Sequence, residues 1–303
     1  MRHARLRLAA LGTASAVVTA AAWAGTTTAW ATPVPDVPTS APAGSPEPTQ
    51  SPTGSESPSA SPTTTAEPAT ALQDALTKSA EANTASGTMH FSSQGKIDAR
   101  GTWARQNKPN LLTAKVNKLT LDGKANSAQP QIIVNGDTAY VNGDGLIQNQ
   151  GDTWWRVALN NLPGERGKMI SDLLTSGRLQ DPATVKQIAG AYKDVQNEGE
   201  EEVGGQTVTH YSSSLDTQEA AQAAGLPTPT ASPGNWPKTL QVDTWVDSSG
   251  MVRRQQFRNE EGGKPFNLNL TVKEYDKPVT VQTPPADKVK DVDPQTLKNL
   301  LGE

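Results

Sequence analysis

The sequence contains no cysteine and only three histidines among its 303 residues. Without cysteine the chain has no disulfide, no thiolate metal site and no cysteine nucleophile. One of the histidines is His3, so few remain for a histidine-built metal site. Gly-x-Ser-x-Gly elbows, His-Glu-x-x-His pairs and phosphate-binding loops are also missing from the sequence. We therefore expect a protein that is not an enzyme, with no catalytic residue, no metal and no cofactor.

Neither sign of charge dominates the chain. The net charge is −4 at pH 7, so the charge balance gives no reason to expect nucleic acid as a partner. The acidic run from Glu198 to Glu202 is interpreted as a solvated turn rather than a cation site. His90 and His210 fall in predicted strands, where a structural or exposed histidine is commoner than a catalytic one.

Residues 1–31 have the pattern of a signal peptide. A basic start with Arg2, Arg5 and Arg7 precedes an apolar stretch rich in small residues, and small-x-small cleavage patterns end before Gly25 and before Thr32. An uncleaved membrane anchor is the alternative interpretation. No cysteine follows the apolar stretch, so we expect a protein that is secreted or associated with the cell envelope and is not lipid-anchored.

Residues 32–68 are rich in proline, serine and threonine. Such a segment cannot bury enough apolar surface to offset its chain entropy, so we predict a disordered, extended linker. The linker would hold a folded domain, residues 69–303, away from the surface where the chain starts.

Alternation of apolar and polar residues predicts antiparallel strands through most of the folded part. Residues 240–275 form a predicted meander in which the segment from Asp247 to Gly250 supplies a tight turn. The Asn135-Gly136 pair predicts a second hairpin, and further strands are predicted at 88–93, 95–105, 111–121 and 207–213. One face of this sheet is expected to be buried and the other wet.

Helical spacing predicts a few helices that flank the strands. One begins near Leu72 and is expected to end near Ser86 and Gly87, and others are predicted at 168–179, 181–195, 217–224 and 293–301. Asp181 is the predicted N-cap of the helix that Pro182 opens. The order predicts an α+β domain, with helices on the concave face of a curved antiparallel sheet or half-barrel.

Three segments of the folded part share residue patterns with a known family. In the run from Glu200 to Asp216 the matching positions are Val203, Gly205, Thr207 and Tyr211. The others are the run from Ile132 to Val141 and a Trp245-Val246-Asp247 strand before Gly250. Asp181-Pro182 before a helix, with Trp155 upstream, is a further shared feature.

On these residues the chain, over about residues 70–290, resembles the actinobacterial LppX/LprAFG lipoprotein family of the LolA-like superfamily of lipoprotein carriers. The resemblance is a pattern of strands and turns, so it speaks to the fold more than to an activity. It implies a LolA-like half-barrel closed by helices, with an apolar cavity that holds acyl chains of lipids or lipoproteins. The lipobox cysteine of that family is missing here.

The function that this resemblance implies is binding of a lipid or other amphiphilic ligand between sheet and helices. The chain is expected to be a monomer. From the residues alone, an ordinary filled core is favoured over a cavity, because apolar periodicity predicts burial and says nothing about voids; the resemblance brings the two interpretations level. The alternative function is a protein-interaction or envelope-stress sensor module with an envelope protein partner and no lipid cargo. The residues expected to line the cavity are Ile133, Trp155, Ile170, Leu173, Leu174, Ile188, Val242, Leu268 and Leu270.

Two smaller expectations concern the closing meander. Arg253 and Arg254 are neighbours in a strand, so one arginine is predicted on each face, and the inward one is placed at a cavity mouth where an anionic head group would meet it. Asp243, Trp245 and Asp247 share the other face. That group is interpreted as a solvated strand face, with a carbohydrate-stacking patch as the alternative.

Overall fold

One open, curved sheet of 13 strands dominates a computed structural model of the chain, which describes residues 67–144, 146, 152–163, 171, 181–226, 237–259 and 265–292. The strands are β1 (Thr84–Ser93), β2 (Ile97–Gln106), β3 (Leu111–Leu121), β4 (Lys124–Asn126), β5 (Gln131–Asn135), β6 (Thr138–Asn142), β7 (Trp154–Ala158), β8 (Tyr192–Val203), β9 (Gln206–Asp216), β10 (Thr239–Asp247), β11 (Val252–Asn259), β12 (Phe266–Tyr275) and β13 (Val289–Asp291). The described α-helices are α1 (Pro68–Glu81), α2 (Pro182–Ala189) and α3 (Thr217–Ala223), and two single-turn 3-10 helices span Leu159–Asn161 and Ala286–Lys288.

The strand order across the sheet is β13-β7-β6-β5-β3-β2-β1-β12-β11-β10-β9-β8, with β4 paired to β3. Neighbouring strands run antiparallel, except that β13 pairs with β7 in parallel. The predicted antiparallel sheet is therefore confirmed, with one parallel pair at its margin.

The three described α-helices lie on one face, which we call the concave face. α1 packs on α2 and α2 on α3, while α1 also contacts β8, β10 and β11 and α3 contacts β9. Leu72, which is 1% exposed, and Ala75 anchor α1 on Tyr211 and Val246. The α+β half-barrel with helices on its concave face is confirmed.

The local signals read from the sequence produce the turns and caps as expected. The Asp181 carboxylate accepts a hydrogen bond from Thr184 N at 2.9 Å, which caps α2 behind Pro182. Gly136 and Gly250 have φ values of +60° and +77° in the two predicted hairpins, a conformation that glycine adopts without strain.

Two predicted helix ends and one predicted turn are wrong. α1 ends at Glu81, and Gly87 lies inside β1. A side chain does not fit at Gly87, because an added Cβ would be 1.8 Å from the carbonyl oxygen of Thr271. α2 ends at Ala189, so Tyr192 begins a strand instead of continuing a helix. The acidic run belongs to β8 and is not a turn. The helices predicted at 168–179 and 293–301 lie outside the described residues, apart from Ser171, which is helical and buried.

Candidate ligand-binding face

The register of the sheet arranges concave-face side chains in rows that cross the strands. One row joins Thr244, Gln255, Leu270 and Met89 across β10, β11, β12 and β1. The next row joins Val272, Gly87, Trp103 and Ala114 across β12, β1, β2 and β3. These rows form the wall that the helices face.

The middle of this wall keeps accessible apolar surface. Leu270 and Val272 are only half-buried, although they lie on a central strand and pack against the main core. In the adjoining row Phe257 and Leu268 are 3% and 2% exposed. A central position normally buries a leucine or valine completely, so the described side chains do not fill the space in front of Leu270 and Val272.

Small residues make up much of the remaining wall. The core cluster on this face includes Ala85 of β1, Ala99 of β2, Ala114 of β3 and Ala139 of β6. Short side chains take up little of the space between a sheet and the layer over it. These four alanines are at most 2% exposed, so the layer over the sheet lies directly against this half of the wall.

Six of the nine residues predicted to line a cavity fall within the described chain. Val242, Leu268 and Ile188 are buried in the core cluster of the concave face, and Leu270 lies there with accessible surface. Trp155 is half-buried, pairs with Val141 and alternates with Val157, which places it on the same face.

Ile133 is a correction. Its neighbours Ile132 and Val134 belong to the concave-face core, so Ile133 points to the opposite, convex face, opposite Thr113 and Tyr140. Ile170, Leu173 and Leu174 lie outside the described residues.

A polar group that sequence analysis missed lies within the apolar wall. Gln255 Nε2 donates to Thr244 Oγ1 at 3.5 Å, and Tyr192 of β8 packs against the same concave-face core. Burial raises the pKa of Tyr192 to about 12, so its hydroxyl keeps its proton at neutral pH. The available signal was that Gln255 alternates with Phe257 and so shares its face.

The inward arginine predicted in β11 is Arg253, and it already has a carboxylate partner. Its Nε donates to Asp247 Oδ2 at 2.5 Å, and its guanidinium lies 5.5 Å from the centre of the Tyr275 ring. Burial opposes ionisation of Asp247, but hydrogen bonds from Ser249, Met251 and Arg253 outweigh it and lower the pKa of this carboxyl. The charge of Arg253 is therefore neutralised within the protein.

Arg105 is a second cation on the concave side, and it caps the end of α1. Its Nη2 donates to Ser79 O at 3.0 Å and its Nη1 to Ala82 O at 3.4 Å and to the Asn107 side chain. Burial lowers the pKa of Arg105, although the guanidinium remains charged at neutral pH. Its donors serve helix carbonyls that would otherwise lack partners.

The convex face carries a stacked cluster around Trp245. Its ring lies parallel to the His210 ring at 4.5 Å, and Arg254 lies 4.3 Å from its centre. The indole Nε1 donates to Glu201 Oε2 at 2.9 Å, which is the main cause that lowers the pKa of Glu201. Trp245 is only 5% exposed, so a sugar cannot stack on its ring, and the expectation of a solvated strand face is wrong for it.

His210 connects two carboxylates in this cluster. Its Nδ1 lies 2.9 Å from Glu201 Oε1 and its Nε2 lies 3.0 Å from Asp243 Oδ1. Arg258 Nη2 also donates to Asp243, at 2.6 Å. The cluster ties the marginal strand β8 to β10 across β9.

Two further properties concern the described residues only. They contain no group of three or more His, Cys, Asp or Glu side chains arranged to hold a metal ion. Among their helices, none combines the length and the apolar composition needed to cross a bilayer.

The fold and the wall together define an open α+β half-barrel whose concave face is apolar and partly accessible. No family model matches the chain. It is 27% identical over 169 residues to an uncharacterized 31.2 kDa protein of Streptomyces griseus, which covers 51% of this chain and 54% of that protein. The chain thus spans about half the length of the curated relative it matches.

Solved structures similar to the chain include lipoproteins of the family that its sequence resembles. LppX of Mycobacterium tuberculosis is 15% identical with a TM-score of 0.44, over 71% of this chain and 98% of that one. LprF of Mycobacterium bovis is 14% identical with a TM-score of 0.46, over 72% and 96%. A LolA superfamily protein of Nitrosomonas europaea is 9% identical with a TM-score of 0.22, over 76% and 96%.

Proposed function

We propose that this protein binds the acyl chain of a lipid or another amphiphile on the concave face, between the sheet and its helices. The observation that carries the proposal is the accessible apolar surface of Leu270 and Val272 in the middle of the sheet. Water in contact with such a wall is unfavourable, and an alkyl chain that replaces it gains roughly 0.8 kcal/mol per methylene buried. Ten buried methylenes would thus contribute about 8 kcal/mol before the costs of association.

The resemblance read from the sequence supports the same role, and it adds a cellular setting. In this setting residues 1–31 direct export, residues 32–68 act as a spacer, and the folded domain works at the cell envelope. Sequencing the N-terminus of the secreted chain would test this arrangement, and a mature chain that still begins at Met1 would contradict cleavage of the leader.

Occupancy of the wall is tested with a bulky substitution in its accessible part. Leu270→Trp fills the space in front of β12, so we expect the variant to lose most of its affinity for a fluorescent 16-carbon fatty-acid analogue. Thr271→Trp is the matched control, because Thr271 is the next residue of the same strand and points to the convex face. Circular dichroism checks that both variants stay folded.

The outcomes separate binding from a filled core. Wild type and Thr271→Trp should bind the analogue, and native mass spectrometry of the purified chain should show co-purified lipid. Equal binding by both tryptophan variants would move the ligand away from this wall. A wild-type chain that binds no analogue and carries no lipid would refute the lipid-binding function. A protein-interaction module would then be the better explanation.

A further inference from the structure

We propose that the convex face carries a second binding site, for a flat and uncharged glycan chain, at the margin formed by β6, β7 and β13. The site lies on the opposite side of the sheet from the proposed lipid-binding face and does not depend on that function. Its centre is Tyr140 and Trp154, with the Arg156–Asp291 ion pair beside them. We call these four residues the aromatic patch.

The register of the sheet brings the aromatic patch together. Tyr140 lies directly opposite Arg156, and Arg156 lies directly opposite Asp291. Trp154 is two residues from Arg156 in β7 and alternates with Trp155, which lies on the concave face. Tyr140 and Trp154 are therefore diagonal neighbours on the convex face, about 7–8 Å apart, so both rings can contact one bound molecule.

Both rings keep accessible surface and unpaired polar tips. Tyr140 and Trp154 are half-buried, whereas Trp245 on the same face is only 5% exposed. Within the described part of the chain, neither the Tyr140 hydroxyl nor the Trp154 indole N–H has a hydrogen-bond partner, although the indoles of Trp103 and Trp245 donate at 3.2 and 2.9 Å. A ring with a free polar tip matches a sugar, which has an apolar C–H face and a rim of hydroxyl groups.

Two amides next to the rings supply donors and acceptors. Gln131 and Asn142 lie directly opposite each other, and the same register continues to Trp154. The Asn142 oxygen accepts a hydrogen bond from Asp144 N at 2.7 Å, which leaves its NH2 group as a donor. The Gln131 amide uses its nitrogen toward Thr113, which leaves its oxygen as an acceptor. Sugar hydroxyl groups bind to both kinds of group.

The ion pair of the patch is held in place and is neutral as a whole. Arg156 Nε donates to Asp291 Oδ1 at 2.7 Å, and Nη2 donates to Oδ2 at 2.9 Å. These two parallel bonds fix the planes of both groups and leave the Nη1 donors and further oxygen lone pairs available. The side chains are 50% and 71% exposed. Because the two charges cancel, the patch favours a neutral hydroxylated ligand, and an exposed ion pair is unlike the apolar centre of a protein interface.

Uncharged hexasaccharides and the full-length protein test the site. Cellohexaose and chitohexaose have β-linked sugars that form flat chains, whereas the α-linked sugars of maltohexaose form a curved chain. We expect both β-linked probes to bind in isothermal titration calorimetry. Maltohexaose is expected to bind about five-fold more weakly, because a curved chain reaches only one of the two rings.

Variants locate the bound glycan. Trp154→Ala should weaken binding of cellohexaose about ten-fold, as expected for a central aromatic contact. Tyr140→Phe keeps the ring and removes only the hydroxyl, so the loss should be about three-fold. Thr271→Ala is the control and should bind as wild type does, because Thr271 lies on the convex face outside the patch. Circular dichroism checks folding, and the conservative Tyr140→Phe keeps the test decisive if Trp154→Ala does not fold.

Three results would overturn the inference. If wild type binds no hexasaccharide, the glycan site is wrong, and a protein interface becomes the better explanation of the exposed aromatic residues. If Trp154→Ala and Tyr140→Phe both keep full affinity, the glycan binds elsewhere on the protein. If maltohexaose binds as tightly as the β-linked probes, the patch does not select a flat chain. Each of these results leaves the proposed lipid-binding function unaffected, because the concave face is not involved.

Discussion

The contact between Arg105 and the end of α1 gives a prediction that can be worked through from the structure. Substituting Arg105 with methionine keeps a long side chain in β2 and removes the guanidinium. The substitution deprives Ser79 O and Ala82 O of a charged donor at 3.0 and 3.4 Å. Because the site is largely buried, water does not simply replace that donor.

The expected loss in the free energy of unfolding is the sum of three contributions. A hydrogen bond from a charged donor is worth about 1.5–3 kcal/mol, and we count only the shorter bond in full. Loss of a cation at the helix C-terminus adds about 0.3–1 kcal/mol. Methionine recovers about 1 kcal/mol by burying apolar surface without a charge to desolvate. The expected net loss in the free energy of unfolding is therefore about 2 kcal/mol.

Urea unfolding followed by tryptophan fluorescence measures this loss, and amide hydrogen exchange shows whether the last turn of α1 opens. The control is Arg100→Met in the same strand, whose side chain is 58% exposed in its ion pair with Asp98. An exposed pair contributes little, so this control should change stability by less than about 0.5 kcal/mol. Equal urea midpoints for the two variants would refute the proposed stabilisation of α1 by Arg105.

Three more outcomes are expected. Gly101→Ala should lower the free energy of unfolding in urea by about 2 kcal/mol or more, because its Cβ would lie 2.0 Å from the Lys115 carbonyl oxygen. Gly190→Ala is the control, and equal stability of the two variants would contradict this prediction. Leu72→Ala should lower the free energy of unfolding by about 2–5 kcal/mol and speed proteolysis within α1. An unchanged cleavage rate would mean that Leu72 does not anchor α1. The pKa of Asp247 is lowered because its hydrogen bonds outweigh burial, so the stabilisation by its carboxylate is present above about pH 4 and lost as pH falls further. The difference in unfolding free energy between the wild type and Asp247→Asn should therefore shrink between about pH 5 and pH 2. A difference that stays constant over this range would contradict the prediction.

The strands, hairpins and caps could be predicted because their signals are local. Alternation of apolar and polar residues predicted β3 and β10, the Asn135-Gly136 pair predicted one hairpin, and Asp181 capped α2 as expected. The predicted helix was too long after Ala189. Tyr192 continues the apolar spacing of α2, but it is the first residue of strand β8. A periodic pattern records which residues are buried, and the same spacing can be continued by a different element.

The candidate site was harder to predict because it depends on strand order. In the run Ile132-Ile133-Val134 every residue is apolar, so alternation cannot say which one faces inward, and Ile133 was placed on the wrong face. Tyr192 of β8 packs against the same core as Phe257 of β11 only because the strand order brings both strands to one half of the sheet. β13 adds beside β7 through three residues with no apolar pattern, a pairing that no local signal announces.

The construction of β8 has a consequence for how the protein behaves when it is concentrated. An open sheet ends in rows of backbone donors and acceptors that another copy can extend into a fibre. At this margin the strand is bent by irregular register near Asp194 and Gly199, and it carries Glu198, Glu200 and Glu202, which repel a second identical margin. The opposite margin, β13, is only three residues long, too short to template much pairing. Both margins of the sheet therefore disfavour pairing with a second copy when the protein is concentrated.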